Sequence, residues 1–235
     1  MYNNSKILSV IPARGRSKGI PLKNIAIVKG KPLLHYALSA VLKSKHVDRV
    51  IVSSDHPQIL AIAGEYGKNV ALIRPEHLAL DSTGCHPVML HALKICEEED
   101  NCIYDYAILI HVTNPLVLPD DIDSTIEKLV DTGAESCVTV VSMGALHTKK
   151  FKYLRDDRLF PYFQEEGDPV LRQEVKEMYI RNCSCYAMRR GILLEGSLLG
   201  NDVRAIVIPK ERYVDINEPF DLKMASLLLS LQERD

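Results

Sequence analysis

KILSVIPARGRSKGIPLKN, residues 6–24, joins an apolar run to a loop dense in cations and glycine. Lys6 to Ile11 runs apolar and stops at Pro12, the pattern of a strand buried on both faces, as in a parallel sheet. Further on, Pro32 stands where a first helical turn tolerates proline, and Leu34, Leu38, Val41 and Leu42 recur at helical spacing. The stretch therefore reads as strand, loop, helix.

The same unit repeats along the chain. Strands are predicted over Arg49 to Ser53, Val70 to Ile73, Tyr106 to His111 and Ser136 to Val141. Helices alternate with them over Pro57 to Tyr66, Val88 to Cys96 and Asp120 to Val130, the last with Asp120, Asp121 and Asp123 at the end that favours acids. Parallel neighbours need such crossovers, so an α/β fold with a doubly wound, mostly parallel sheet is expected. From Ser142 to about Cys183 the alternation stops, and the segment reads as an inserted arm. Phe151, Tyr153, Phe160, Tyr162 and Phe163 suit the contact of a homodimer, with a lid packed on its own subunit as the alternative. Short strands at Ser184 to Met188, Val203 to Ile208 and Tyr213 to Val214 follow, then an amphipathic helix from Pro219 to about Leu231. One domain, 1–235, with an arm at about 142–183, is the expected organisation.

Composition narrows the function. With 235 residues and 46% hydrophobic content the chain can bury one substantial core. A formal net charge of -2 excludes a strongly basic nucleic-acid binder. No apolar, uncharged run reaches the roughly eighteen residues a membrane helix requires, and the N-terminal run reads as a strand rather than a leader. The six cysteines form no CxxC pair and no zinc spacing, which fits reduced thiols in a cytoplasmic protein. Charge is unevenly spread: no Asp or Glu occurs from Met1 to Val47, while Arg14, Arg16, Lys18, Lys23, Lys29 and Lys31 crowd together. That asymmetry implies an anion site, with a solvated basic loop as the alternative.

Ligands of open α/β folds gather at the carboxyl ends of parallel strands, where this loop lies. Gly15 and Gly19 allow backbone amides to approach an anion, and Arg14, Lys18 and Lys23 supply charge for a polyphosphate. A triphosphate fits that chemistry. The loop is neither G-x-x-x-x-G-K-[ST] nor G-x-G-x-x-G.

The string Ile11 to Asn24, IPARGRSKGIPLKN, closely resembles the opening motif of the acylneuraminate cytidylyltransferase family. That family comprises the CMP-sialic acid synthetases and the related pseudaminic and legionaminic acid enzymes. Arg74 to Thr83 (RPEHLALDST) is similar to its R-P-x-x-L-A-x-D-x-[ST] segment, Ile110 to Leu116 to L-Q-x-T-S-P-L, Val214 to Leu222 to the closing D-I-D-x-x-x-D, and Arg181 to Tyr186 to R-x-N-G-x-x-Y.

The resemblance spans nearly the whole chain and implies a Rossmann-like nucleotidyltransferase that uses CTP, an acidic sugar and Mg²⁺ or Mn²⁺. It implies catalytic roles for Arg14, Lys18, Lys23 and Asp215. Contacts to the nucleotide would come from Ala13, Gly15, Asn24, Arg74, Ser82, Thr83, His111 and Thr113. The sugar would meet Asn114, Arg181, Asn182 and Tyr186, with Arg181 on its carboxylate, and the metal would meet Asp215 and Asn217. Arg74 and Asp81 have an internal ion pair as their structural alternative, and Asp221 has a helix cap.

This chain departs from the family pattern at three places. Asn217 stands at the second acidic position, His111 at the glutamine, and Cys183 or Ser184 at the glycine. Other readings are a nucleotidyltransferase for a sugar 1-phosphate or another base, and a nucleotide-binding regulator without catalysis. An RNA-binding loop lacks the accompanying aromatic motif.

Overall fold

The computed structural model describes residues 1–144, 150–163 and 177–232. Parts 145–149 and 164–176 of the expected arm lie outside the described residues. The elements run β1 (Ile7–Pro12), β2 (Ile27–Val28), β3 (Lys31–Pro32), α1 (Leu33–Leu42), β4 (Arg49–Ser54), α2 (Pro57–Gly64), β5 (Ala71–Ile73), α3 (Cys85–Asp100), β6 (Tyr106–Ile110), α4 (Pro119–Thr132), β7 (Ser136–Ser142), β8 (Lys152–Arg155), β9 (Arg158–Pro161), β10 (Tyr179–Arg189), α5 (Arg190–Leu194), β11 (Val203–Val207) and α6 (Pro219–Gln232). The sequence reading placed the principal strands and helices within a few residues of these bounds.

A seven-stranded sheet has the order β11-β7-β10-β6-β1-β4-β5. β1 pairs in parallel with β4 on one side and β6 on the other. β10 runs antiparallel to both neighbours, β6 and β7. The expected mostly parallel, doubly wound sheet is what forms. From β1 the chain winds first toward β4 and β5, then returns to β6, so the winding reverses at the β1/β6 boundary. The loop after β1 therefore opens over a switch point, where a crevice is unavoidable.

Alternation along β1 divides its side chains between two layers. Ile7 and Ile11 pack with Leu34, Leu38 and Val41 of α1 and Ile122, Ile126 and Leu129 of α4. Leu8 and Val10 face Met89, Leu93 and Cys96 of α3. Both faces are covered, which is why the strand reads as an unbroken apolar run. Among the described residues no helix is long and apolar enough to cross a membrane.

Three expectations shift. α3 begins at Cys85 instead of Val88, one turn earlier; at its acidic end Glu97 pairs with Arg190, and Asp100 and Glu99 with Arg49. Tyr213 to Val214 is not a strand. The sheet already ends at β11, and this segment crosses the strand ends, where the Ile216 N–H donates to the Thr113 carbonyl at 3.0 Å. β10 starts at Tyr179 rather than Ser184, so both ends of the arm continue sheet strands, with Tyr179 opposite Ser142. Between them β8 and β9 pair as an antiparallel hairpin with Tyr153, Leu154 and Leu159 exposed.

β10 reaches that length because it carries a bulge between Arg181 and Tyr186. Asn182, fully buried, organises it: its Oδ1 accepts from the Thr139 hydroxyl at 2.5 Å, and its Nδ2 donates to Ser184 Oγ at 2.8 Å. Asn182→Ala would leave the buried Ser184 hydroxyl without the Asn182 amide, at about 1–3 kcal/mol per buried polar group, while the Thr139 hydroxyl keeps its bonds to the Cys185 backbone. The expected result is a lower urea midpoint; an unchanged midpoint would show that the bulge does not need this amide.

Candidate active site

Beyond Pro12 the chain leaves the sheet, and its path is set by hydrogen bonds to other segments. The Ala13 N–H donates to the Ser53 carbonyl at 2.9 Å, prolonging the pairing with β4 by one residue. The Gly15 N–H donates to Asp55 Oδ1 at 2.8 Å, and buried Asn24 returns its Nδ2 to the Arg14 carbonyl at 2.8 Å. At Gly19 a side-chain Cβ would lie 2.3 Å from the Asn217 carbonyl oxygen, so only glycine lets the loop touch the closing segment. Lys23 Nζ donates to the Ile216 carbonyl at 2.6 Å and reaches Asn217 Oδ1 at 3.5 Å.

These contacts enclose a cavity of about 450 Å³ at the β1/β6 boundary. Arg14, Lys18, Lys23, Arg74, His111 and Thr113 line it, together with Asn24, Thr83 and Asn217. Gly84 and Cys85 also border it, so the first turn of the sixteen-residue α3 opens onto the same space. N–H groups of a first turn lack intrahelical partners and carry the positive end of the helix dipole, which suits an anion. The late helix start expected from sequence concealed this feature, because the apolar spacing begins only at Val88.

Charges around the cavity are balanced from a distance. Asp81 Oδ1 pairs with Arg14 at 2.8 Å, and Asp81 Oδ2 lies 3.6 Å from Lys18 Nζ. The alternative of an Arg74–Asp81 ion pair does not form among the described residues. Arg74 instead sends Nε to Ser53 Oγ at 3.2 Å and Nη2 to the Ser53 carbonyl at 2.7 Å, and is only 5% exposed. Burial lowers its pKa, and the Asp55 charge opposes that shift. Asp81 is half exposed and Lys18 more so, and a pair in that position is weak enough for an incoming anion to displace.

Several expected contacts take other roles. Ala13 is wholly buried, and the Gly15 amide is occupied by Asp55 instead of being free for phosphate. Asn114 and Asn182 are both fully buried, with Asn114 Nδ2 donating to the Asn182 carbonyl at 3.2 Å, so they shape the strand ends behind the cavity. Ser82 is exposed outside the cavity wall, while Thr83 Oγ1 donates to the His77 carbonyl at 3.2 Å. Arg181 is exposed with its guanidinium 5.9 Å from the ring centroid of buried Tyr186, whose hydroxyl lies 3.3 Å from Cys183 Sγ. Asp221 caps α6, accepting from the N–H groups of Asn217 at 2.8 Å and Glu218 at 2.9 Å.

Asp215 Oδ2 accepts from Asn217 Nδ2 at 2.9 Å. Burial lowers the pKa of Lys23, and the Asp215 charge works in the opposite direction. Among the described residues no group of three or more His, Cys, Asp or Glu stands ready for a metal. One carboxylate beside one amide suits a divalent cation that also binds phosphate oxygens, since Mg²⁺ commonly takes only one or two protein carboxylates.

Asp55 was missed by the sequence reading, because nothing in SSDHP marks which distant amide its carboxylate accepts from.

A family profile described as cytidylyltransferase matches residues 8–200. The pseudaminic acid cytidylyltransferase of Campylobacter jejuni is 29% identical over 224 residues, covering 95% of this chain and 96% of that one. The CMP-N,N'-diacetyllegionaminic acid synthase of the same species is 30% identical over 229 residues, 97% of each. Among solved structures, CMP:2-keto-3-deoxy-manno-octonic acid synthetase complexed with CTP has a similar fold, with TM-score 0.70 and 17% identity over 97% of this chain and 100% of that one.

His111 packs edge-to-face on Tyr186, with ring centroids 5.7 Å apart, and burial lowers its pKa below the ordinary 6.5. The Asp215 charge pulls the other way and Lys23 adds to the lowering. Neutral His111 thus contributes stability that is complete above its unfolded-state value and lost as pH falls through the lowered folded-state pKa. His111→Gln cannot titrate. Its Tm is expected to drop less than that of the wild type between about pH 7 and about pH 5; parallel pH profiles would contradict the assignment.

Proposed function

The chain belongs to the cytidylyltransferase family, and from that premise we propose that it transfers CMP from CTP to the anomeric hydroxyl of an acidic 2-keto-3-deoxy sugar. Sialic acid and the related nonulosonic acids are the substrate class, and pyrophosphate is the leaving group. One observation carries the reading: Arg14, Lys18, Lys23 and the N-terminus of α3 converge on one cavity at the switch point of the sheet. The relatives named for pseudaminic and legionaminic acids support the acidic acceptor.

The sugar hydroxyl attacks the α-phosphorus in line, a new P–O bond forms, and the bond to the β-phosphate oxygen breaks. Positioning and charge stabilisation carry most of such a transfer, and no covalent protein nucleophile is required. Arg14 and Lys18 exchange Asp81 for phosphate oxygens as the nucleotide enters. Lys23 is held on the Ile216 carbonyl, and its role is to stabilise the negative charge that grows on the departing pyrophosphate. Mg²⁺ or Mn²⁺ would be held by Asp215 and Asn217 and would supply Lewis-acid neutralisation of the triphosphate. His111 and Thr113 face the nucleotide from the end of β6, and Arg74 closes the opposite wall.

Arg181 is exposed beside Tyr186 and offers its guanidinium to the sugar carboxylate. We assign the whole chain to one nucleotidyltransferase domain working in the cytoplasm, and its arm to a contact between two copies. The exposed apolar side chains of the β8–β9 hairpin suit that contact.

Pyrophosphate release on mixing CTP, Mg²⁺ and a panel of nonulosonic acids tests the reading; activity only with a sugar 1-phosphate would overturn it. Lys18→Ala and Lys23→Ala should each lower kcat by about 10²-fold, the usual effect of removing a group that stabilises developing charge. Near-normal turnover in both variants would contradict their roles. Arg181→Ala should raise KM for the sugar about tenfold, as for a lost charge-assisted hydrogen bond, while KM for CTP stays put.

A further inference from the structure

The cation-bearing loop has open space on both sides. In front lies the nucleotide cavity; behind lies a cleft of about 760 Å³ lined by Gly15, Arg16, Ser17, Asp55, His56 and Arg74, among others. Ser17 and Arg74 border both spaces. Between buried Gly15 and buried Ile20 the loop is exposed or half-buried, and its position there depends on discrete tethers. After the Ala13–Ser53 bond continues the sheet, the next hydrogen bond from the loop backbone to the β4 end is Gly15 N–H to Asp55 Oδ1 at 2.8 Å. The approach is close: a Cβ on Gly15 would lie 2.7 Å from the His56 Cβ. Asp55 itself does not line the nucleotide cavity.

The Arg74 guanidinium bonds only to Ser53 among the described contacts, and the Asp55 charge opposes the lowering of its pKa by burial. The carboxylate that holds the Gly15 N–H thus also acts through space on Arg74.

We propose that Asp55 is a positioning residue for the transfer: by accepting the Gly15 N–H it holds the loop, and with it the Arg14 and Lys18 side chains, at the separation from Arg74 that a bound triphosphate requires. The proposal rests on the assignment of this cavity to CTP. It predicts that the bond to Gly15, and not the negative charge alone, sets nucleotide affinity. Without that bond the loop can relax into the cleft behind it, and small misplacements of this kind are costly to catalysis.

Two substitutions separate the roles. Asp55→Asn keeps an oxygen that accepts the Gly15 N–H but loses the charge that acts on Arg74; Asp55→Ala loses both. Loss of the charge should lower Tm in both variants. Asp55→Ala should lower kcat/KM for CTP by about 10²-fold while KM for the acidic sugar changes by less than about twofold. Asp55→Asn should stay within about threefold of the wild type, a loss of roughly 0.7 kcal/mol or less. CTP binding measured by calorimetry without sugar should follow the same order. Equal impairment of the two variants, or wild-type kinetics in Asp55→Ala, overturns the proposal while leaving the assigned function intact. A wild-type protein that binds no CTP overturns both.

Discussion

Four cations on one short loop repel one another, and the loop itself contains no acid to offset them. The structure meets this constraint with carboxylates from three distant segments: Asp55 after β4, Asp81 before α3, and Asp215 in the stretch leading to α6. Each acts differently. Asp55 accepts a backbone N–H and acts on Arg74 through space, Asp81 pairs directly with Arg14 and Lys18, and Asp215 influences Lys23 through space. Of the three, only Asp81 lines the cavity.

The sheet makes that arrangement possible. Since β1 is flanked by β4 and β6, the ends of all three strands bring their loops to the same rim. β4 ends in Ser53 and Ser54, which hold Arg74 and continue into Asp55; β6 ends at Ile110 and leads into His111 and Thr113. The insertion of β10 antiparallel beside β6 brings Tyr186 and Arg181 to that rim from the opposite chain direction. Side chains from parts of the chain far apart are thereby gathered at one edge of the sheet.

Behind the rim, polarity is used for shape. Asn114, Thr139, Asn182 and Ser184 are buried and satisfy one another, so the bulge of β10 is fixed by hydrogen bonds that no ligand needs to complete. Buried polar groups linked in this way hold one backbone arrangement, because any slip leaves donors unpaired in the core.

What the sequence by itself determined is what depends on local pattern. The apolar run of β1, the alternation of strands and crossover helices, and the acid-free basic loop lie within short windows, and each specifies its structure through periodicity, chirality or net charge. The motifs of the family were legible for the same reason. Tertiary structure alone decided which partner each polar group takes. Asp81 turns to Arg14 instead of Arg74, the Gly15 amide to Asp55 instead of phosphate, Asn182 to the core instead of the sugar, and α3 starts a turn early so that its dipole reaches the cavity. A hydrogen bond or ion pair is settled by distances of a few ångströms between segments up to 194 residues apart, and residue order carries no direct record of those distances.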